Sequence, residues 1–265
     1  MEIIFFLVCF FASIIGAVCG IGGGVIIKPV LDTFGILSVS AINFLSGCTV
    51  LAMTSYSVLK NKISGVSQIA FETSFPLAVG AAIGGVAGKQ LFSLILEQSG
   101  EQKVIGAIQA GCLLSVTAGT LLYTILKEKI KAKSIRNPMF CFLLGALLGT
   151  LSAFLGIGGG PINLVVLYYF FSMSTKVAVE NSLYIILFSQ ITSLLCTFFS
   201  GKVPKVSAGL VLLMAVGGVL GGIVGRAWNK KLSECKVDQL FILLMIVLIF
   251  INGYNVVQFC VQPGG

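Results

Sequence analysis

The chain has 265 residues, 57% of them hydrophobic and 10% charged, and its mean hydropathy is +1.07. Soluble domains carry about 25% charged residues, so this composition excludes a soluble globular protein and fits a polytopic membrane protein. The net charge of +8 does not imply a nucleic-acid partner, because the basic residues sit in short gaps between apolar runs, where they act as topology signals.

The first apolar stretch, 3–37, is too long for one span and is broken by Gly20-Ile21-Gly22-Gly23-Gly24. It reads as two half-length or tilted segments joined at the glycines. A secretory signal is an alternative for 3–18. Apolar segments of similar length recur, however, and no small-residue cleavage site leads into a soluble domain, so the segment is expected to be retained. Stretches long enough to span, about 20 residues, follow at 41–59, 66–88 and 104–126. The most polar stretch is 127–138. Beyond it a second broken segment, 139–171, contains Gly156-Ile157-Gly158-Gly159-Gly160, and further spans are predicted at 177–200, 206–227 and 238–259.

The GIGGG string that starts at Gly20 recurs from Gly156, and Gly80, Gly84, Gly85, Gly88 and Lys89 are answered at almost the same offset by Gly217, Gly221, Gly222, Gly225 and Arg226. The chain therefore reads as an all-α duplication: a first transmembrane repeat over 1–126, a basic linker over 127–138 and a second repeat over 139–265. Loop charge selects the topology. Four crossings per half divide the cations nine inside to seven outside, whereas five elements per half divide them twelve to four, with Lys28 in neither count. The positive-inside rule favours five. An odd number inverts the second repeat, places both termini outside and leaves the linker cytoplasmic.

Consecutive glycines permit positive φ and close approach to a ligand, and the helix that follows begins with N–H groups that lack intrahelical partners. Such an end attracts anions through its donors and its dipole. Pro161 directly after Gly160 suits a first helical position. Gly22, Gly23 and Gly24, with Gly158, Gly159, Gly160 and Pro161, are thus candidate substrate contacts, and an oxyanion is the natural guest. The glycines spaced by four, Gly80, Gly84, Gly88 and Gly217, Gly221, Gly225, read instead as helix-packing faces.

These motifs resemble the sulfite exporter TauE/SafE family (TSUP, DUF81) over nearly the whole chain. Gly20 to Leu31 follows the family's G-x-G-G-G-x4-P pattern, with Pro29 in place. The second copy carries its proline early, at Pro161, with Val165 where the later proline would fall. Ala178-Val179-Glu180-Asn181-Ser182-Leu183 is similar to the family's A-V-x-T-S-L, with Asn181 in the threonine place, and Ala41 to Ser46 is a weaker first-half counterpart. The resemblance implies a carrier of sulfur-containing anions such as sulfite, thiosulfate or sulfonates.

Ionisable residues inside a membrane are functional candidates by default. Lys28, with Asp32 at i+4, either adds positive charge to an anion site or is neutralised by its neighbour. Glu180 and Glu72 are candidate proton carriers, against the alternative of ordinary helix-end electrostatics. Asn43, Asn181 and Ser182 could hold anion oxygens. The expected partners are a small anion, a co-transported proton or sodium, and the lipid bilayer.

No cofactor is expected, and no nucleotide-binding motif suggests a primary pump. Two other classes remain. A thiol-based redox protein would need paired cysteines, but all eight stand singly without a CxxC pair. A cation or metal carrier could use Asp32, Glu72 and Glu180, but the chain has no histidine, and helix N-termini favour anions.

Overall fold

The computed structural model describes residues 2–261, which form ten α-helices and one short 3-10 turn, with no strand among the described residues. The first repeat comprises α1 (Glu2–Cys19), α2 (Gly24–Phe34), α3 (Val39–Ile63), α4 (Phe71–Ser99) and α5 (Gln102–Leu126). The second comprises α6 (Pro138–Leu155), α7 (Pro161–Phe171), α8 (Thr175–Phe199), α9 (Ala208–Lys231) and α10 (Glu234–Val261). Corresponding helices match in length where the motif lies: 18 residues in α1 and α6, 11 in α2 and α7, 25 in α3 and α8.

All except α2 and α7 are long and apolar enough to cross a membrane. The broken segments therefore have unequal arms: one arm is a near-complete span. The other, at 1.5 Å per residue, rises about 16 Å, half of a 30 Å hydrocarbon core. A second departure is at α4, predicted to end at residue 88. Residues 89–99 hold good helix formers and no breaker, so the helix continues until Gly100, at φ 68°, caps it in the left-handed conformation.

Contacts fix the helix directions. Gly217, Gly221 and Gly225 of α9 lie in ascending order against Phe6, Phe10 and Ile14 of α1, so these helices are parallel. Gly80, Gly84 and Gly88 of α4 lie likewise against the carbonyls of Phe142, Ala146 and Thr150 of α6, where a Cβ would overlap backbone. Both four-residue glycine faces are thus close-packing seams. By contrast α3 runs against α8, with Phe44 meeting the Phe198 ring at 5.9 Å and Gly47 facing Gln190 and Leu194. The helix α5 runs against α10, placing Lys127 beside Asp238 and Gly106 beside Phe259.

Two faces result. The linker face carries the ends of α3, α5 and α9 and the starts of α4, α6, α8 and α10; the terminal face carries the start of α1, the ends of α4, α8 and α10 and the starts of α3, α5 and α9, while α1 and α6 end in the glycine turns. From the glycine turn, α2 returns to the terminal face, where Thr33 donates to Asn255 near the end of α10. From the opposite side α7 returns to the linker face, where the Lys133 and Ile135 N–H groups donate to the Tyr169 and Phe170 carbonyls. Each hairpin is re-entrant, and the two enter from opposite faces. The repeats are inverted with five helical elements each.

Candidate functional site

The GIGGG turns meet at the centre of the bundle. Gly20 and Gly22 both take φ +72°, Gly156 and Gly158 +68° and +73°, conformations that suit glycine. In the first turn the Gly23 carbonyl accepts from Ile26 and Ile27 N–H (3.0 and 2.9 Å), which leaves the Gly24 and Val25 N–H groups ahead of the first helical acceptor. In the second, the Gly160 carbonyl accepts from Asn163 N–H, and Pro161 occupies the first helical position.

The packing is reciprocal. Gly24 lies against the Ile157 carbonyl, so each motif touches the other. Gly156 lies against the Asn43 side chain of α3, and Gly20 lies against Val179 of α8, the repeat counterpart of Asn43. Gly22 and Gly158 flank Val50, and Gly159 presses on Ile186. Around the start of α2 stand two buried hydroxyls without hydrogen-bond partners: Ser13 of α1 against Gly23, and Ser46 of α3 against Gly24. Neither polar atom of Asn43 is hydrogen bonded, nor is Ser182 Oγ on α8, and both residues are buried. Buried polar groups in proteins are as a rule hydrogen bonded, so this gathering beside the glycine turns makes the centre the candidate site.

Of the candidate polar residues, Asn43, Ser182 and the glycines gather at this centre. Asn181 does different work: its Oδ1 accepts from Ala70 N–H (2.9 Å) and Ser74 Oγ, and its Nδ2 donates to the Gln68 and Val177 carbonyls. Glu180 accepts from Ser67 Oγ (2.8 Å) and Gln68 N–H (3.0 Å). Together they hold the α3–α4 connection. The helix register also pairs Asn43 with Val179, and Ser46 with Ser182, because the N-caps Ser38 and Ser174 occupy equivalent places in the two repeats. Glu72 is exposed in the first turn of α4 and lines a separate linker-face groove with Arg136. Lys28 is buried and ion-paired with Asp32 at 2.7 Å.

A cavity lies on each side of the centre. On the linker face, one of about 290 Å³ is lined by Arg226, Lys176, Lys230, Glu180 and Asn61, with Ala17, Val179 and Leu183 also in its wall. On the terminal face, one of about 230 Å³ is lined by Lys89, Ser93, Thr197 and Lys202. These are repeat counterparts: Arg226 answers Lys89, Lys230 answers Ser93, and Thr197 answers Asn61. The cationic members outnumber the acidic ones in both. An apolar cluster of Ala17, Val50, Met53, Leu183 and Ile186 lies between the linker-face cavity and the glycine turns.

In sequence Lys89 and Arg226 read as helix C-terminal anchors at the membrane interface and Ser46 as one of several uncharged donors, while Ser13 stood outside the candidates. The matching places of Lys89 and Arg226 in the two repeats were the available signal for the first pair. Nothing local distinguishes Ser13 from other serines in apolar helices.

The profile of the family described as "Sulfite exporter TauE/SafE" matches residues 5–251. Among curated proteins the chain is similar to "Probable membrane transporter protein YunE" of Bacillus subtilis (strain 168), with 33% identity over 104 residues. That alignment takes in 39% of this chain and 36% of the relative, so the similarity spans little more than a third of that protein's length. No solved structure matches the chain.

Proposed function

The chain belongs to the sulfite exporter TauE/SafE family and is a membrane transporter, and from that premise we propose that it carries a small sulfur-containing oxyanion, of the sulfite, thiosulfate or sulfonate type, by alternating access between its two repeats. The observation that carries this reading is the start of α2, where free N–H groups, two unpartnered hydroxyls and the second glycine turn converge in a buried place. Discontinuous helices whose N-termini point at an anionic group are a recurrent solution at the midplane of inverted-repeat transporters.

In this reading the vestibules concentrate the anion electrostatically at each face. Arg226 and Lys176 serve one side, Lys89 and Lys202 the other. The Val50–Ile186 cluster separates the linker-face vestibule from the glycine turns, so that a rocking motion of one repeat against the other opens one side at a time. Backbone N–H groups and the hydroxyls of Ser13 and Ser46 then take the oxygens, and Asn43 and Ser182 complete the set. Weak neutral donors suit a carrier, which must also release its cargo.

The linker face is read as cytoplasmic, with both termini outside. Twelve cations on that face and four on the other, Lys28 apart, support the assignment through the positive-inside rule. The test of the function is flux in proteoliposomes across sulfite, thiosulfate, sulfonates, sulfate and chloride. Selective movement of the sulfur-containing anions is expected, and no anion flux with correctly inserted protein rejects the reading.

A further inference from the structure

Lys28 and Asp32 form their ion pair on α2, one turn beyond the first glycine turn, with side chains 0% and 3% exposed. The pair is under-satisfied. An ammonium carries three donors, of which one is directed to Asp32 Oδ2, while Asp32 Oδ1 has no hydrogen-bond partner. On α10, which packs against α2, neither amide atom of the buried Asn252 is hydrogen bonded. The pair is also unmatched by symmetry: Leu164 and Tyr168 stand at the equivalent positions of α7. Finally, Asp32 lines a cavity of about 150 Å³ at the terminal face, together with Gln102, Lys103 and Gln258.

We propose that Asp32 is the site of a co-transported proton and that the proton couples to the anion by unmasking Lys28; this rests on the anion-transport reading above. A proton arriving through the terminal-face cavity adds to the Asp32 carboxylate, which becomes a neutral carboxylic acid. The ion pair is lost, and Lys28 is left with uncompensated charge in an apolar interior. The Cα–Cβ bonds of a helix lean toward its N-terminus, so the released ammonium is directed back over the Gly24 turn, where Ser46 and the free N–H groups lie. An anion bound there compensates the ammonium, and the further charge of a dianion such as thiosulfate falls to the free N–H groups and dipole at the start of α2.

The empty carrier with its ion pair and the carrier loaded with both proton and anion leave Lys28 compensated. Each half-loaded form holds an unpaired buried charge, which is costly by several kcal/mol. Proton and anion therefore load together, and by linkage each tightens the other's binding. Among the residues lining the cavity, Lys103 is the other charged group. The helices packed on α2 are α1, α3 and α10. Their charged side chains stand at helix ends: Glu2 on α1 at the terminal face, and Lys60, Lys62, Glu234, Lys236 and Asp238 at the linker face. Of the thiols and phenols on these helices, Cys9 and Cys19 on α1 are buried, Cys48 and Tyr56 on α3 are half-buried, and Cys235, Tyr254 and Cys260 on α10 are exposed.

The experiment uses the full chain with thiosulfate as probe. Affinity is measured in detergent from about pH 8 to about pH 5, and proton movement is followed with a dye trapped in proteoliposomes. Wild type is expected to bind up to about tenfold more tightly per pH unit lowered, and a thiosulfate gradient is expected to drive protons in the same direction. Asp32→Asn should bind at the low-pH affinity throughout and move no protons. If that variant does not fold, wild type alone decides: an affinity that stays flat over this range, or thiosulfate flux without proton movement, overturns the inference. Persisting pH dependence in Asp32→Asn overturns it equally. Absence of thiosulfate binding and flux at every pH defeats the anion reading itself and this inference with it.

Discussion

The side chain of Asn43 lies against Gly156, the first residue of the second glycine turn, and neither of its polar atoms is hydrogen bonded. Its counterpart contact, Gly20 on Val179, is apolar on the α8 side. The two hairpins thus share a backbone design and differ in the chemistry set beside it, an amide against Gly156 and a valine against Gly20.

Removing polarity at Asn43 should separate function from stability. Asn43→Leu keeps the branched four-atom side chain at greater bulk and deletes two groups without hydrogen-bond partners, so stability is expected to change by less than about 2 kcal/mol in either direction while anion flux falls. Asn181→Ala should do the reverse first, losing about 2–4 kcal/mol because it strands the Ala70 N–H and releases the α3–α4 connection. Thermal melts in detergent beside proteoliposome flux make the comparison.

Gly20→Ala tests the close approach of the hairpin to α8. At φ +72° alanine costs about 1–2 kcal/mol, and its Cβ would also overlap the Val179 backbone, for a total of about 3 kcal/mol or more. Gly65, at φ +64° with nothing within 4 Å, supplies the control, where alanine costs only the first amount. Equal melting temperatures for the two variants would show that the hairpin does not sit where it is described.

The vestibule cations should act from one side each. Arg226→Gln is expected to raise KM about 3–10-fold for anion presented at the linker face, and Lys89→Gln to do so at the terminal face, both effects fading with added salt. Arg226 also donates to Asn61 Oδ1 and Ser64 Oγ, so Arg226→Lys separates the roles: a charge effect is rescued and a bracing effect is not. Sided vesicles read the outcome.

Replacing all eight cysteines, with alanine at the buried Cys9, Cys19 and Cys141 and serine elsewhere, should leave anion flux within about twofold, since each thiol is free and acts as a small hydrophobe. Loss of flux in a folded cysteine-free protein would point to thiol chemistry instead.

Much of the architecture was legible in the chain. GIGGG breaks a helix wherever it stands, Pro161 starts one, and glycines at four-residue spacing make a face on which another helix can lie. These are local properties of backbone and period, so they survive in one dimension. The odd element count came from charge, because cations are held at a membrane face whatever the helices pack against. The unequal arms of the hairpins were less readable, since nothing in 3–19 differs in kind from a complete span.

The site divides along the same line. The sequence determined the class, the duplication and the two helix N-termini, all of which follow from composition and local geometry, and the proposal of an anionic guest starts from those helix ends. Only the tertiary structure decided which polar side chains are spent and which are free. Asn181 and Asn43 look alike in sequence, yet Asn181 is saturated by the α3–α4 connection and Asn43 is left without a hydrogen bond beside Gly156. Whether a polar group is satisfied depends on partners far away along the chain, and no local pattern records them.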